Sequence, residues 1–420
     1  MSHSRSSFNN LLKNSSMMFL LNIASAGVSV LAIPLSLKII GIAAFGHLVL
    51  VQSIALAVFT VCNFQYWQGL LIELPGRRLL PQALSAAVWK SARFELLAVC
   101  GVMIVMLILK LFQLSQLSTF SLSQLILLAL AAIFPIVGTP TAYFRLINKY
   151  QVLMLAGLLS SLLRLLSLFL AAHFSPSAFM LVLAYFVPEA LRCAGLFLYI
   201  HLARKGLDGS LEASTVDQGR IVRAGRWSTF QAICDLPVAQ LDRVILGFSL
   251  SGEYLGVFSI LKRIYALVNM ASAPFYSASI PEFASRVNAG DVRGAFTLWL
   301  KTLRVLSGVS LVAGALCFAS QTLWMPLIFS GLQNYPWEFA VVLASAMLAG
   351  TFVTTHALYW SLGKLRQTTI IAIGSNVFYL LMLWLLTSHY GLLGSVSAFL
   401  VHVSLVAILK IFLLRRLMPQ

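Results

Sequence analysis

The sequence predicts an all-α integral membrane protein: twelve transmembrane helices in two six-helix lobes. Three observations predict it. The 420 residues are 60% hydrophobic and only 10% charged, whereas a soluble domain carries roughly a quarter charged residues. Apolar runs of about 20 residues recur along the whole chain, the length at which a helix spans ~30 Å of hydrocarbon. Lys and Arg gather in every second loop. Lipid cannot hydrogen-bond the backbone, so helices are the natural spanning element. The short alternating segments of a β-barrel do not dominate anywhere.

The spans read, in order, as roughly 15–40, 44–66, 89–112, 121–144, 151–172, 177–201, 227–249, 254–279, 299–319, 338–361, 367–388 and 391–414. Before the first, Met1 to Asn14 is polar, with Arg5 and Lys13, and Ala24-Ser25-Ala26 resembles a signal cleavage site. The apolar run continues to Ile40, too long for a signal h-region, which predicts an uncleaved span. The ninth span is the least regular, because Trp324-Met325-Pro326 extends it or re-enters the bilayer.

Loop charge tests this order. One set of loops holds Arg5 and Lys13; Arg77, Arg78, Lys90 and Arg93; Arg145 and Lys149; Arg204, Lys205, Arg220, Arg223 and Arg226; Arg286, Arg293, Lys301 and Arg304; Lys364 and Arg366; Arg415 and Arg416. The alternate loops are nearly free of them, with only Lys38 and Lys110 at span ends. By the positive-inside rule both termini are then cytoplasmic. The same rule accounts for the net charge of +17 and the pI of about 10.0, so the excess is topological and does not call for nucleic acid. The linker Gly206–Arg226 separates an N-terminal lobe, 1–205, from a C-terminal lobe, 227–420.

The halves echo one another weakly. Lys38-Ile39-Ile40-Gly41 followed by Phe45-Gly46 compares with Arg243-Val244-Ile245-Leu246-Gly247 followed by Leu255-Gly256. With six spans in each, the halves would be parallel repeats about an axis along the membrane normal, an arrangement that commonly transports by rocking around a central site.

The stretch Trp227 to Tyr265 is where this apolar chain is least apolar. It carries Asp235, Asp242, Arg243, Lys262 and Arg263, and charge inside a bilayer is costly enough to signal a cavity, a partner charge or a ligand. As a straight helix, span seven puts Ser228, Gln231, Asp235 and Asp242 on one face, with Pro237 bending it. Span one offers a parallel stripe of Asn22, Ser25, Ser29 and Ser36, which suits helix packing and cavity lining equally. At 1.5 Å per residue, Arg243 lies ~24 Å beyond Trp227 and Lys262 ~12 Å from Tyr254, so these cations share a depth with Asp242. A structural pair of Asp242 with Lys262 or Arg263 is the plainer alternative. Spans five and six add Arg164 and the i, i+3 neighbours Glu189 and Arg192. The deep charges are thus Arg164, Arg192, Arg243, Lys262 and Arg263 against Glu189, Asp235 and Asp242. A net cationic interior suits a phosphate, diphosphate or acidic sugar, with Arg adapted to bidentate contact. One carboxylate would titrate if a proton is coupled.

The chain shows no H-E-x-x-H, P-loop or G-x-S-x-G, so no catalytic residue, metal ligand or cofactor is assigned and ATP is not used directly. His356 and His402 lie within spans and read as packing residues. Cys62, Cys100, Cys193, Cys234 and Cys317 read as small core residues.

The order of features resembles the O-antigen (Wzx-type) polysaccharide flippases of the multidrug/oligosaccharidyl-lipid/polysaccharide exporter superfamily. The residues that carry it are Asn22 to Gln52, with Pro34, Gly41, Phe45-Gly46 and Gln52. They continue in Leu241-Asp242-Arg243-Val244-Ile245-Leu246-Gly247 through Gly256-Val257-Phe258-Ser259, then Ala273-Pro274 and Pro281. The resemblance implies two lobes around a V-shaped central cavity. It implies a cargo of undecaprenyl-diphosphate-linked oligosaccharide, moved from the cytoplasmic to the periplasmic leaflet of a bacterial inner membrane by alternating access. It also implies an ion gradient of protons or sodium, membrane lipid around the chain, and a complex with polysaccharide polymerase and chain-length proteins. It carries cavity roles onto Asp242, Arg243, Lys262 and Arg263. The rival readings are a multidrug or small-metabolite antiporter of the same superfamily and, from another class, a membrane glycosyltransferase or O-antigen polymerase. Against the last stand the short, nearly uncharged outer loops.

Overall fold

The computed structural model describes residues 2–74, 81–205 and 218–417, and in the first helix it describes side chains from Gly27 onward, Ser29 excepted. Among the described residues every regular element is helical. The chain forms two compact units, 1–236 and 237–420.

The first unit opens with α1 (Ser2–Cys62), which Gly41 breaks with φ 75 and ψ 170. It continues through α2 (Tyr66–Glu73), α3 (Pro81–Leu111), α4 (Leu122–Ile133), α5 (Gly138–Leu146), α6 (Tyr150–Phe174), α7 (Ala178–Lys205) and α8 (Gln218–Leu236). α1 packs along α6, α4 and α3, while α2 lies against α8 and α5. A core of Tyr66, Leu70, Tyr143, Phe144, Leu196 and Ile221 joins α2, α5, α7 and α8.

A five-residue π turn, Pro237–Leu241, leads into the second unit. There follow α9 (Asp242–Ser249), α10 (Gly252–Met270), α11 (Ala273–Asn288), α12 (Val292–Ala319), α13 (Gln321–Ile328), α14 (Pro336–Ser361) and α15 (Leu365–Leu417). α14 is central, touching α10, α11, α12 and α15. Gly391, with φ 56, breaks α15.

The breaks at Gly41 and Gly391 fall where the sequence placed the turns after the first and eleventh spans. Among the described residues, eight helical stretches are long and apolar enough to cross a membrane, and they take in or overlap ten of the twelve expected spans. Spans seven and eight are the exceptions. The π turn splits the one and the step between α10 and α11 the other, and each carries a buried charge, Asp242 or Lys262. Residues 218–226, read as linker, are already helical in α8; residues 206–217 lie outside the described residues. After span nine, α13 is a separate short helix tied back by Trp324 Nε1 donating to the Cys317 carbonyl at 3.3 Å.

α3 has one exposed apolar face and one buried face. Leu96 and Leu97 are 62% and 67% exposed, with Ile104, Leu107 and Ile108 beside them. Its opposite stripe, Ser91, Glu95, Ala98, Val102 and Met106, is buried, the i, i+4, i+7 spacing of one helical face. The cysteines depart from expectation. Cys62 and Cys100 are exposed and the other three half-buried.

Candidate functional site

The charged stretch of spans seven and eight condenses onto one carboxylate. Asp242, at the first position of α9, is fully buried. Its Oδ2 faces Lys262 Nζ at 2.9 Å and accepts from the Tyr379 hydroxyl at 3.3 Å. Its Oδ1 accepts from the Arg243 backbone N–H at 2.7 Å. Lys262, 8% exposed, also donates to the Val238 carbonyl at 3.2 Å. Its ammonium stands 4.0 Å from the centroid of the Phe399 ring and 5.9 Å from that of Phe258. A buried ion pair is sustained only when its remaining hydrogen-bonding capacity is filled; here a carbonyl in the π turn, a phenol and aromatic faces fill it.

Of the two partners the sequence allowed Asp242, the structure selects Lys262. Lys262 is therefore already compensated, and the cation beside it is Arg243. Arg243 Nη1 donates to the Ala239 carbonyl at 3.1 Å and to Gln240 Oε1 at 3.4 Å, both neutral. Its Nε is buried with no hydrogen-bond partner, and Arg243 forms no ion pair among the described residues. Arg263 is half-buried.

The first unit holds a second cluster. Glu189, 4% exposed, lies on α7. Arg192 Nη1 approaches its Oε2 at 3.3 Å, and Arg164 Nη1, from α6, its Oε1 at 3.5 Å. The expected neutral pair is thus a triad, one carboxylate between two guanidinium groups.

Other expectations meet the structure less directly. Asp235 is exposed and Asp242 buried, so the two do not share one environment. The intervening π turn breaks the 3.6-residue period from which a common face was reckoned. Gln231 is half-buried on α8. The side chains of Asn22, Ser25 and Ser29 lie outside the described residues. Ser36, the last of that stripe, is buried, donates to the Ala32 carbonyl at 2.8 Å and meets the Tyr185 hydroxyl at 3.0 Å, which is helix packing. His402 and His356 pack as expected: His402 sits at 3.2 Å from the Ser375 carbonyl and against Tyr379, His356 between Tyr276 and Trp360. Both line a cavity of about 360 Å³ inside the second unit, with Tyr265, Tyr276, Phe352 and Lys410.

Glu95 was not singled out from sequence. It lies within span three, 3% exposed. Its carboxylate accepts from the Gly138 N–H at 2.6 Å and from the Thr139 N–H at 3.2 and 3.3 Å. Those donors exist because span four is not one helix: α4 ends at Ile133, a 3₁₀ turn covers Phe134–Ile136, and α5 restarts at Gly138. The legible signal was a lone acid in span three alongside Pro135 and Gly138 in span four.

The sequence pattern of the polysaccharide biosynthesis protein family matches residues 11–286, more than half of the chain. The chain belongs to that family. No curated protein sequence matches it closely enough to count as a relative. Its fold is similar to that of the lipid II flippase MurJ in an inward closed conformation, at 11% identity and TM-score 0.69 over 94% of this chain and 87% of that one. It is also similar to the Vibrio cholerae transporter VcmN of the MATE family, at 13% identity and TM-score 0.58 over 99% of both. A third likeness is a Pyrococcus furiosus transporter of the MOP superfamily with a binding pocket of reversed polarity, at 14% identity and TM-score 0.58 over 97% and 93%. This member of the polysaccharide biosynthesis family therefore has the multi-pass helical fold of that superfamily's transporters.

Proposed function

We propose that this protein flips an undecaprenyl-diphosphate-linked oligosaccharide, an O-antigen or similar repeat unit, from the cytoplasmic to the periplasmic leaflet of a bacterial inner membrane. One observation carries the reading: each unit holds a charge cluster in which cations outnumber the buried carboxylate two to one. Arg164 and Arg192 share Glu189, and Arg243 stands beside the self-neutralised pair of Asp242 and Lys262. Cations held in a low-dielectric interior attract an anion strongly, and guanidinium groups match the geometry of a diphosphate. Arg243, Arg164 and Arg192 are the residues assigned to it. Lys262 positions Arg243 through Asp242, whose other oxygen holds the Arg243 backbone. Alternating access driven by an ion gradient completes the cycle.

The test uses purified protein in proteoliposomes with a labelled prenyl-diphosphate oligosaccharide. Arg243→Gln and Arg192→Gln each lower the flipping rate roughly tenfold to a hundredfold, the value of one charge-assisted hydrogen bond or two; Arg243→Gln does so with thermal stability unchanged, whereas Arg192→Gln also weakens the Glu189 cluster. Normal flipping by both variants overturns the assignment. A second reading, export of small molecules, draws on the likeness to VcmN over almost the whole chain. It predicts drug hypersensitivity, with no accumulation of lipid-linked sugar, in cells lacking the protein.

A further inference from the structure

We propose that Glu95 is the proton-accepting carboxylate of this transporter, and that its protonation releases the restart of span four at Gly138. The proposal rests on the transporter reading above and concerns a residue to which that reading gives no role.

The three deeply buried carboxylates among the described residues fall into two kinds. Glu189 is gripped by two guanidinium groups and Asp242 by an ammonium. Each belongs to a charge-compensated cluster, where taking up a proton would strand the cations. Glu95 forms no ion pair among the described residues. Among the described residues its polar contacts come from the start of α5: the Gly138 and Thr139 N–H groups, with the Thr139 side chain beside them. The carboxylate is held by the end of a helix, whose backbone dipole compensates only about half a charge. A carboxylate this deep in apolar surroundings without a counter-cation neutralises when its donors withdraw.

The surroundings leave the proton few competitors. α1, α2, α4, α5 and α7 pack against α3. α5 presents Gly138 and Thr139, the latter donating its hydroxyl to Ser91 at 2.7 Å. α7 brings the Cys193 thiol within electrostatic reach. Lys90 and Arg93 on α3, Glu73 on α2, and Glu189 and Arg192 on α7 make no ion pair with Glu95.

The placement also links protonation to backbone. Gly138 cannot carry a Cβ, which would overlap the Trp67 indole of α2. α2 in turn packs on α8. Ionised Glu95 pins the start of α5 under that indole. The neutral acid loses the attraction to the helix end, which frees α5 to shift against α2. Proton uptake at one carboxyl thus loosens the join between α3, α5 and α2, and proton loss restores it.

Infrared difference spectroscopy of the purified protein, stepped between about pH 5 and about pH 8, reads the proton directly. Native protein shows a neutral-carboxyl C=O band that grows on acidification. Glu95→Gln, which keeps one acceptor for Gly138, loses that band, while Glu189→Gln retains it. In proteoliposomes Glu95→Gln loses flipping driven by a proton gradient yet still equilibrates labelled prenyl-diphosphate oligosaccharide between leaflets. The proposal is overturned if Glu95→Gln keeps the band, or flips cargo with the native pH profile. Should Glu95→Gln fail to fold, Glu95→Asp decides: it retains an acid in altered geometry, so the midpoint of the band must shift, and an unchanged midpoint sinks the idea. The spectroscopic arm needs no cargo. Absence of flipping by native protein, with the band present, would count against the cargo alone.

Discussion

Lys262 and Asp242 are bonded to one another in the buried interior of the second unit. An ammonium at 2.9 Å, a phenol and a backbone N–H all converge on that carboxylate. Lys262→Ala leaves it buried and uncompensated, a loss of about 3–5 kcal/mol, which thermal unfolding in detergent measures as a lowered midpoint. Replacing both partners by near-isosteres, Asp242→Asn with Lys262→Met, recovers most of the loss, since removing a whole buried pair is commonly close to neutral. An unstable double variant and a stable single one would refute the pairing. Loss of export in Lys262→Ala is therefore no evidence of a cargo contact, whereas Arg243→Gln, without an ion-pair partner to strand, is a clean probe. Depth arithmetic along spans seven and eight was enough to bring these charges to one level. It could not choose Lys262 over Arg263, because the two differ by one residue and about 100° of helix rotation, and the orientation of α10 is settled by packing.

Backbone breaks organise the elements. Gly41 and Gly391 have φ of 75 and 56, with ψ values of 170 and −131 that only glycine adopts easily. Gly391→Ala costs roughly 1–3 kcal/mol, read as a fall in the unfolding temperature; a change within error would show that the turn relaxes. The echo between the halves is looser than the sequence suggested. Gly41 makes the turn in the first half, while Gly247 stays inside α9 and the turn falls at Leu250–Ser251, where Ser251 caps α10. Gly138→Ala forces apart α5 and the Trp67 ring and destabilises the first unit by about 1–3 kcal/mol as an overpacked site. A native unfolding midpoint would contradict that contact. Breaks at Gly and Pro could be located in the sequence, and Glu95 was legible as a lone acid, but its pairing with the break in span four could not be read there. Its partners lie more than forty residues away on a helix whose facing side periodicity leaves open.

At the scale of the molecule, the alternation of basic loops makes an orientation claim. Reporter enzymes fused within residues 113–120 and 320–337 should be active on the outer face, and fusions in 206–217 or after Arg416 on the inner face. An outward-active fusion after Arg416 would break the predicted even number of spans. Family membership and the superfamily fold leave the cargo to the buried cations, whose effect the flipping assay reads.

Composition, span length and loop charge determined by themselves that this chain is a multi-pass helical membrane protein. Those properties follow from the solvent, and hydrocarbon imposes them on any sequence it accepts. That charged residues lie within apolar runs was equally visible, because charge in an apolar run stands out without any neighbour. Which charges cancel was decided only by the tertiary structure. It joined Lys262 to Asp242, set Glu189 between two arginines, and left Glu95 held by a helix end. Partnership between ions is fixed by distances of a few ångströms across elements, and those arise only when the helices pack.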